Sequence, residues 1–336
     1  MAGEKKHRLQ GMFIGLAVGD ALGAPVEFMT PGRFEPVTGM RGYGTHNLPP
    51  GYWTDDTSMA LCLADSLLQE HRYDSFDVMN RYQRWAAEGY RSSTGVCFDI
   101  GNQISSSLAD YEQHSWVPAA AERTTAAGNG SIMRLAPVVM AAVAVGQDAA
   151  GAKHLARISA RETHYSVKTE DATEVFGEML FRAVTARTKS EILPTGGVSE
   201  MIERMVRGAG GLSAEEVEPS GYVLSTLQMA VWAFVTTDSF ADGALACVIS
   251  GGDSDTVAAV YGQLAGAYYG LEGIPADWRE ELVQYQELLA LADELCSIPR
   301  LKTPRTRFQE DHTGGNHDAD RASLQRQPLK SRHGSQ

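Results

Sequence analysis

The sequence predicts an all-α fold, a compact multi-helix bundle. Apolar residues recur at three- and four-residue spacing through most of the chain, whereas period-two alternation is rare and short. Glycine and alanine also crowd the apolar segments, as in "GLAVGDALGA", "APVVMAAVAVG" and "VAAVYGQLAGAYYG". Glycine inside a helix costs about 1 kcal/mol relative to alanine, so its repeated use points to helices that approach one another closely.

The first helix is marked by Leu9, Met12, Phe13, Leu16 and Ala17. Its basic start resembles a secretory leader, but Gly15, Gly19, Asp20 and Glu27 break the apolar run, and acids recur where cleavage would fall. A long Gly/Pro-rich connection follows, "MTPGRFEPVTGMRGYGTHNLPPGY", residues 29–52. Loops of this length inside a compact domain are often functional. Met59, Leu61, Cys62, Ala64 and Leu67 then define a helix opening at "WTDDT". Val175, Phe176, Met179 and Leu180 mark another, and Leu224 to Phe234 a further one. The turn at Gly251 and Gly252 leads into a last small-residue helix. From about residue 301 the chain is polar, mixed in charge and without aliphatic period, so residues 1–300 are read as one domain and 301–336 as a disordered tail. No internal repeat is visible, and no stretch reaches the roughly 20 uninterrupted apolar residues of a membrane span.

At 336 residues, 43% hydrophobic and 21% charged, the composition is that of a globular protein with a sizeable core. A formal charge of -13 argues against general nucleic-acid or anionic-membrane binding, which needs clustered Lys and Arg. Cys62, Cys97, Cys247 and Cys296 show neither CxxC spacing nor an accompanying His pattern. Neither a zinc site nor a disulfide framework is suggested, and a reducing cytoplasm is the expected compartment.

Two stretches combine adjacent acids with hydroxyls at the mouth of an apolar helix. One is "YWTDDTSMALCLA", with Thr54, Asp55 and Asp56; the other is "SGGDSDTVAAVYG", with Asp253, Asp255 and Thr256. Capping of each helix by one of its own acids is the simpler reading, because Thr and Asp accept bonds from first-turn N–H groups. One capping residue suffices, so the second acid calls for another reason. Aspartate and hydroxyl oxygens are hard donors suited to Mg²⁺, Mn²⁺ or Ca²⁺. If the two helix mouths face each other, four carboxylates match the charge of two divalent ions, which could orient a substrate and activate water.

Other candidates are less specific. "AAGNGSIMRLAPV" is an anion-cradle candidate, in which Gly128 and Gly130 let backbone approach a ligand and Ser131 sits where the next helix should begin. Arg134 is a phosphate partner or half of an internal ion pair. Asp99, set among small and apolar residues, is either an N-cap or a carboxylate partner for a guanidinium. His164, after an apolar helical segment, fits a helix C-terminus where protonation is favoured, or a structural role. Tyr222 could stack on a base or pack in the core.

Seven motifs in order, "GLAVGDALGAPVEF", "WTDDTSMA", "STGVCFDIGNQ", "GNGSIMRLAPV", "THYS", "SGYVLSTLQMAVWAF" and "GGDSDTVAAVYGQLAGAYYG", resemble the ADP-ribosylglycohydrolase family from about residue 8 to 298. The resemblance implies a compact orthogonal bundle with a dinuclear metal cleft that hydrolyses ADP-ribose from an acceptor such as a protein side chain. It implies two Mg²⁺ or Mn²⁺ ions held by Thr54, Asp55, Asp56, Asp253, Asp255 and Thr256. Ser254 stands where many relatives carry Thr, at a position that need not be a ligand. Catalytic roles are implied for Asp55, Glu27 and Asp99, with Glu27 weighted above Asp20. Substrate contacts are implied for Asp99, Gly128, Asn129, Gly130, Ser131, His164 and Tyr222. The expected partner is an ADP-ribosylated protein, with arginine the first-choice linkage. Serine-linked, acetylated or polymeric ADP-ribose are the alternatives. Two other classes stay open: a dinuclear-metal nucleotide phosphohydrolase, and an immunity protein that sequesters an ADP-ribosyltransferase.

Overall fold

A computed structural model describes residues 2–115 and 127–307. Among these residues are thirteen α-helices and no strand, only two isolated β-bridges. In chain order they are α1 (Ala2–Gly23), α2 (Asp55–Glu70), α3 (Ser75–Glu88), α4 (Asn102–Gln113), α5 (Ala136–Ala144), α6 (Ala149–Arg161) and α7 (Val167–Ala183). There follow α8 (Glu200–Gly208), α9 (Val223–Thr236), α10 (Phe240–Ile249), α11 (Ser254–Tyr269), α12 (Ala276–Glu281) and α13 (Tyr285–Cys296).

The central feature is an antiparallel pair, α1 against α11. Gly11, Gly15 and Gly19 face Gly266, Gly262 and Ala258 in reverse order. A Cβ at Gly15 would overlap the carbonyl oxygen of Gly262, and one at Gly262 would overlap that of Gly15. The glycines are therefore spacers that bring two backbones into contact, which answers for their helix-propensity cost. At the far end of the pair, a Cβ at Gly23 would overlap the backbone of Asp255, so the last turn of α1 abuts the first turn of α11.

By length and composition the segment Gly3–Val26 could cross a membrane, but its apolar window is fully buried inside the protein. It is the core helix, whose own Met12, Phe13, Ile14 and Leu16 are buried in one cluster with Trp53 and Tyr261. Helix starts elsewhere use ordinary capping chemistry. Asp74 accepts from the N–H groups of Phe76 and Asp77 to begin α3, Asp148 from Gly151 to begin α6, and Ser239 from Asp242 to begin α10.

Residues 301–307, expected in the tail, are packed. Lys302 N–H donates to His71 O at 2.7 Å, Arg305 N–H to Tyr73 O at 2.8 Å, and Ser75 N–H to Arg305 O at 2.8 Å. Arg307 is fully buried and pairs with Glu162, Nε to carboxylate at 3.1 Å, while its Nη2 donates to Glu162 O and Tyr165 Oη. A polar composition conceals this because one buried ion pair, rather than an apolar face, anchors the segment. The rest of the expected tail lies outside the described residues. All four cysteines are free thiols, Cys62 and Cys247 buried.

Candidate active site

The two acidic helix mouths meet. Thr54 precedes α2 and Asp253 precedes α11, yet neither side chain accepts a capping bond from its own helix. The cap of α2 comes from α1. Asp20, fully buried, accepts from Thr54 N–H at 2.8 Å and Thr54 Oγ1 at 2.9 Å on one oxygen. Its other oxygen accepts from Thr57 N–H at 2.9 Å and Thr57 Oγ1 at 2.6 Å. With the first turn satisfied by Asp20, Asp55 and Asp56 are released from capping. Ser254, the middle residue of "DSD", turns away and donates to Gly23 O at 3.0 Å.

Asp56 and Asp255 approach across the interface. Thr54 Oγ1 lies 3.4 Å from Asp56 Oδ2 and 3.2 Å from Asp255 Oδ2, while Thr256 Oγ1 lies 3.3 Å from Asp56 Oδ2. Thr54 has one hydroxyl proton to share among Asp20, Asp56 and Asp255; Thr256 adds its hydroxyl toward Asp56 Oδ2 and its N–H to Asp255 Oδ1 at 2.8 Å. Asp56 Oδ1 is buried with no hydrogen-bond partner. Oxygens of Asp20, Asp56 and Asp255 lie within 4.8 Å of one another, and so do ligand atoms of Glu27, His46, Asp99 and Asp255. Asp255 belongs to both groups.

Burial, first, and then neighbouring acids push the carboxyls of Asp55, Asp56 and Asp255 well above the usual range. Glu27 is pushed up to about 8 by burial, Asp253 and Asp20. Asp99 is also pushed up to about 8, by burial and Glu27, with His46 acting against the shift. Buried like charges are costly unless cations compensate them. A hard divalent cation fits this donor set: oxygen-rich, over-charged, and including a buried oxygen with no hydrogen-bond partner.

Beside the acids lies a cavity of about 410 Å³. Glu27, Asp55, Asp99, Asp253 and Thr256 line it, together with Gly128, Asn129, Gly130, His164 and the start of α4 from Gly101 to Ile104. Asn129 links cradle to acids, since its Nδ2 donates to Asp253 Oδ2 at 2.8 Å and Thr226 Oγ1 at 3.0 Å. The cradle must be glycine where it meets the wall: a Cβ at Gly130 would lie 2.9 Å from His164 Cε1. Asp99 has a left-handed backbone, φ 57°, and does not cap α4, whose N-cap is Gly101.

Three expectations are corrected. Ser131 is fully buried and bonds Thr173 Oγ1 at 2.7 Å, turned into the core rather than toward the cavity, and α5 begins only at Ala136. Tyr222 precedes α9, is 37% exposed and does not line the cavity; its neighbour Gly221 does. Its backbone is what touches the cradle, through a bridge to Gly128. His164 does follow the C-terminus of α6, but burial and the charge of Arg134 push it down to about 3, so the ring is neutral. Arg134 itself is fully buried, donates to Thr163 Oγ1 at 2.7 Å, and pairs with no carboxylate among the described residues.

Sequence reasoning missed His46, which bonds the Glu27 carboxylate and lies 3.7 Å from Asp99 Oδ2. The only signal was its place in the long 29–52 connection. It also undervalued Asp20, whose signal was a carboxylate inside an apolar run, and it passed over Asn102 and Gln103 at the cavity wall.

The ADP-ribosylglycohydrolase family model matches residues 1–305. The chain is 35% identical over 303 residues to ADP-ribosylarginine hydrolase Tri1 of Serratia proteamaculans, covering 87% of this chain and 80% of that protein. It is 33% identical over 308 residues to ADP-ribosyl-[dinitrogen reductase] glycohydrolase of Rhodospirillum rubrum, covering 87% of this chain and 99% of that one. A solved structure described as an ADP-ribosylglycohydrolase-related protein complex superposes with a TM-score of 0.77 at 41% identity, covering 88% of this chain and 99% of that chain. A helical bundle with paired acidic helix mouths at a glycine-walled cavity, matched along its described length by these proteins, belongs to the ADP-ribosylglycohydrolase family.

Proposed function

We infer that the protein hydrolyses the N-glycosidic bond between ADP-ribose and an arginine side chain of a modified protein. The observation that carries this is the convergence of two carboxylate groups, sharing Asp255, beside one cavity whose lining also holds the Gly128–Gly130 cradle. The 35% identity to an ADP-ribosylarginine hydrolase supports the choice of linkage.

Thr54, Asp55, Asp56, Asp253, Asp255 and Thr256 would hold divalent cations, two Mg²⁺ or Mn²⁺ by charge matching. When bound, such ions supply positive charge that binds ribose hydroxyls and makes water more acidic. Asp20 anchors rather than ligates, because four donors already occupy its oxygens. Gly128 and Gly130 leave the backbone open to the diphosphate. Glu27 and Asp55 face the cavity and can accept the proton of the attacking water. The water oxygen bonds to the anomeric carbon as the carbon–nitrogen bond breaks, and the proton passes to the departing guanidine. Asp99, on the cavity wall, would accept two N–H groups of that guanidinium in a bidentate contact.

The test is incubation with arginine-, serine- and O-acetyl-linked ADP-ribose, with Mg²⁺, with Mn²⁺ and with chelator, and product identification by mass spectrometry. Free ADP-ribose and unmodified arginine, formed only with divalent ion, are expected. Release of phosphate or nucleoside monophosphate instead would indicate phosphohydrolase chemistry, and no metal-dependent cleavage of any substrate would overturn the assignment.

A further inference from the structure

Behind the cavity wall sits a polar chain that the reaction above does not use. Arg134 is fully buried, lies 4.9 Å over the Tyr82 ring, and directs Nη2 at Thr163 Oγ1, 2.7 Å away. Thr163 Oγ1 is in turn 2.7 Å from Nδ1 of His164. Thr163 and His164 are themselves fully buried or nearly so. The far edge of the imidazole, Nε2 and Cε1, meets the glycine cradle: a Cβ at Gly128 would lie 3.2 Å from Nε2. His164 and Gly128 both line the cavity, and Nε2 has no hydrogen-bond partner among the described residues.

The directions of these bonds follow from the chemistry of the groups. A guanidinium has donors only, so Thr163 Oγ1 must accept from Arg134. The threonine hydroxyl keeps one proton, and the acceptor within reach of it is His164 Nδ1. The reverse arrangement, with Nδ1 donating to the hydroxyl, would strand that proton in a buried place without an acceptor, which is unfavourable. Nδ1 is therefore the acceptor, and a neutral ring carries its proton on Nε2.

We propose that Arg134 and Thr163 are positioning residues that lock His164 in its Nε2–H form, so that the cavity wall beside the glycine cradle presents a fixed hydrogen-bond donor for a phosphate or ribose oxygen of the ligand. The donor function toward ADP-ribose rests on the function inferred above; the locked ring does not. The positive charge of Arg134 and burial both oppose a second proton on the ring, which keeps the donor neutral. The backbone around the relay is tied to the site as well. Ser107 Oγ donates to Thr163 O at 2.8 Å, which couples α4 to the same turn.

The experiment is a long-range ¹H–¹⁵N spectrum of the full chain labelled at its nine histidines, recorded from pH 6 to 8, with His164 assigned by its loss in His164→Gln. The Nε2–H pattern, unchanged across this range, is expected for His164. Thr163→Ser keeps the hydroxyl and should keep the pattern; Thr163→Val removes it and should give a mixed or Nδ1–H ring. ADP-ribose affinity, read by calorimetry, should fall about tenfold in Thr163→Val and stay within twofold in Thr163→Ser. An Nδ1–H ring in the wild type, or a His164 that titrates between pH 6 and 8, overturns the lock, and this arm needs no variant to fold. A Thr163→Val protein with wild-type spectrum and affinity overturns it too. A wild type with the Nε2–H ring that fails to bind ADP-ribose upholds the lock and sinks the ligand assignment instead.

Discussion

Replacing Asp20 by asparagine keeps size and shape but turns one acceptor oxygen into an amide donor. Whichever way the amide is placed, its NH₂ faces one threonine backbone N–H and one threonine hydroxyl, from either Thr54 or Thr57. The hydroxyl can rotate to accept; the backbone N–H cannot, and it is buried. An unsatisfied buried donor costs about 1–3 kcal/mol, and the surviving bonds lose their charge assistance, which roughly doubles a hydrogen bond's strength. The opposing gain is relief of repulsion from Asp56 and Asp255, and it is limited because burial disfavours the charged forms of those carboxyls. The net loss is therefore about 3 kcal/mol, combining the unmet donor with weakened caps. Urea unfolding in chelator, followed by circular dichroism, reads it as a lower midpoint with unchanged slope. An Asp20→Asn protein as stable as wild type, or more stable, would refute the reasoning: Asp20 would then be a member of the repelling cluster rather than the cap of α2.

The neighbouring acid behaves oppositely. Asp55 accepts no hydrogen bond among the described residues, so Asp55→Asn should raise the urea midpoint in chelator while lowering turnover at least 100-fold in saturating Mg²⁺ or Mn²⁺; a drop in both would assign Asp55 a structural role. The pH dependence of the chelated protein follows from Glu27 and Asp99, each pushed up to about 8. Between the unfolded carboxylate range near pH 4 and about pH 8 the folded state binds more protons, so stability falls as pH rises through that window and levels above it. Melting curves at pH 5 and pH 8 check this, and stability that rises with pH in chelator would contradict it. Gly262→Ala drives a Cβ into the Gly15 carbonyl and should cost about 3 kcal/mol or more by backbone displacement, visible as a lower melting midpoint; a wild-type midpoint would mean that the α1–α11 contact yields freely.

Much of the fold was legible because its cause is local. Gly11, Gly15 and Gly19 recur every four residues and have partners at the same spacing in α11, so close helix contact could be read from composition. The acids of "WTDDT" and "GGDSDT" stood out because adjacent like charges at an apolar helix mouth have no local benefit. What was not legible depends on partners far along the chain. Asp20 is one carboxylate in an apolar run until Thr54 and Thr57 arrive 34 and 37 residues later. His46 reaches Glu27 where the long connection folds back, with Thr45 Oγ1 donating to Glu27 O at 2.6 Å and Thr45 N–H to Pro25 O at 3.3 Å. Ser131 follows a Gly-Asn-Gly turn that could have aimed it either way, and Thr173, on α7, decides the matter. Arg307 looked like tail because nothing in its neighbourhood announces Glu162.

Five of the seven non-glycine residues with left-handed backbone among the described residues, Phe28, Tyr43, Asn47, Arg91 and Asp99, lie on the irregular segments that carry Glu27, His46 and Asp99. Outside glycine and asparagine such backbone costs about 1–3 kcal/mol per residue, so this side of the cleft is held by its surroundings against its own preference. The other side hangs on the register of α1 and α11, where a single added methyl is a collision. Inheritance can therefore act on the two sides at different speeds. Loops under tension can trade residues to suit a new leaving group, while the helix pair that keeps the acids opposed has almost no neighbouring sequence to drift into.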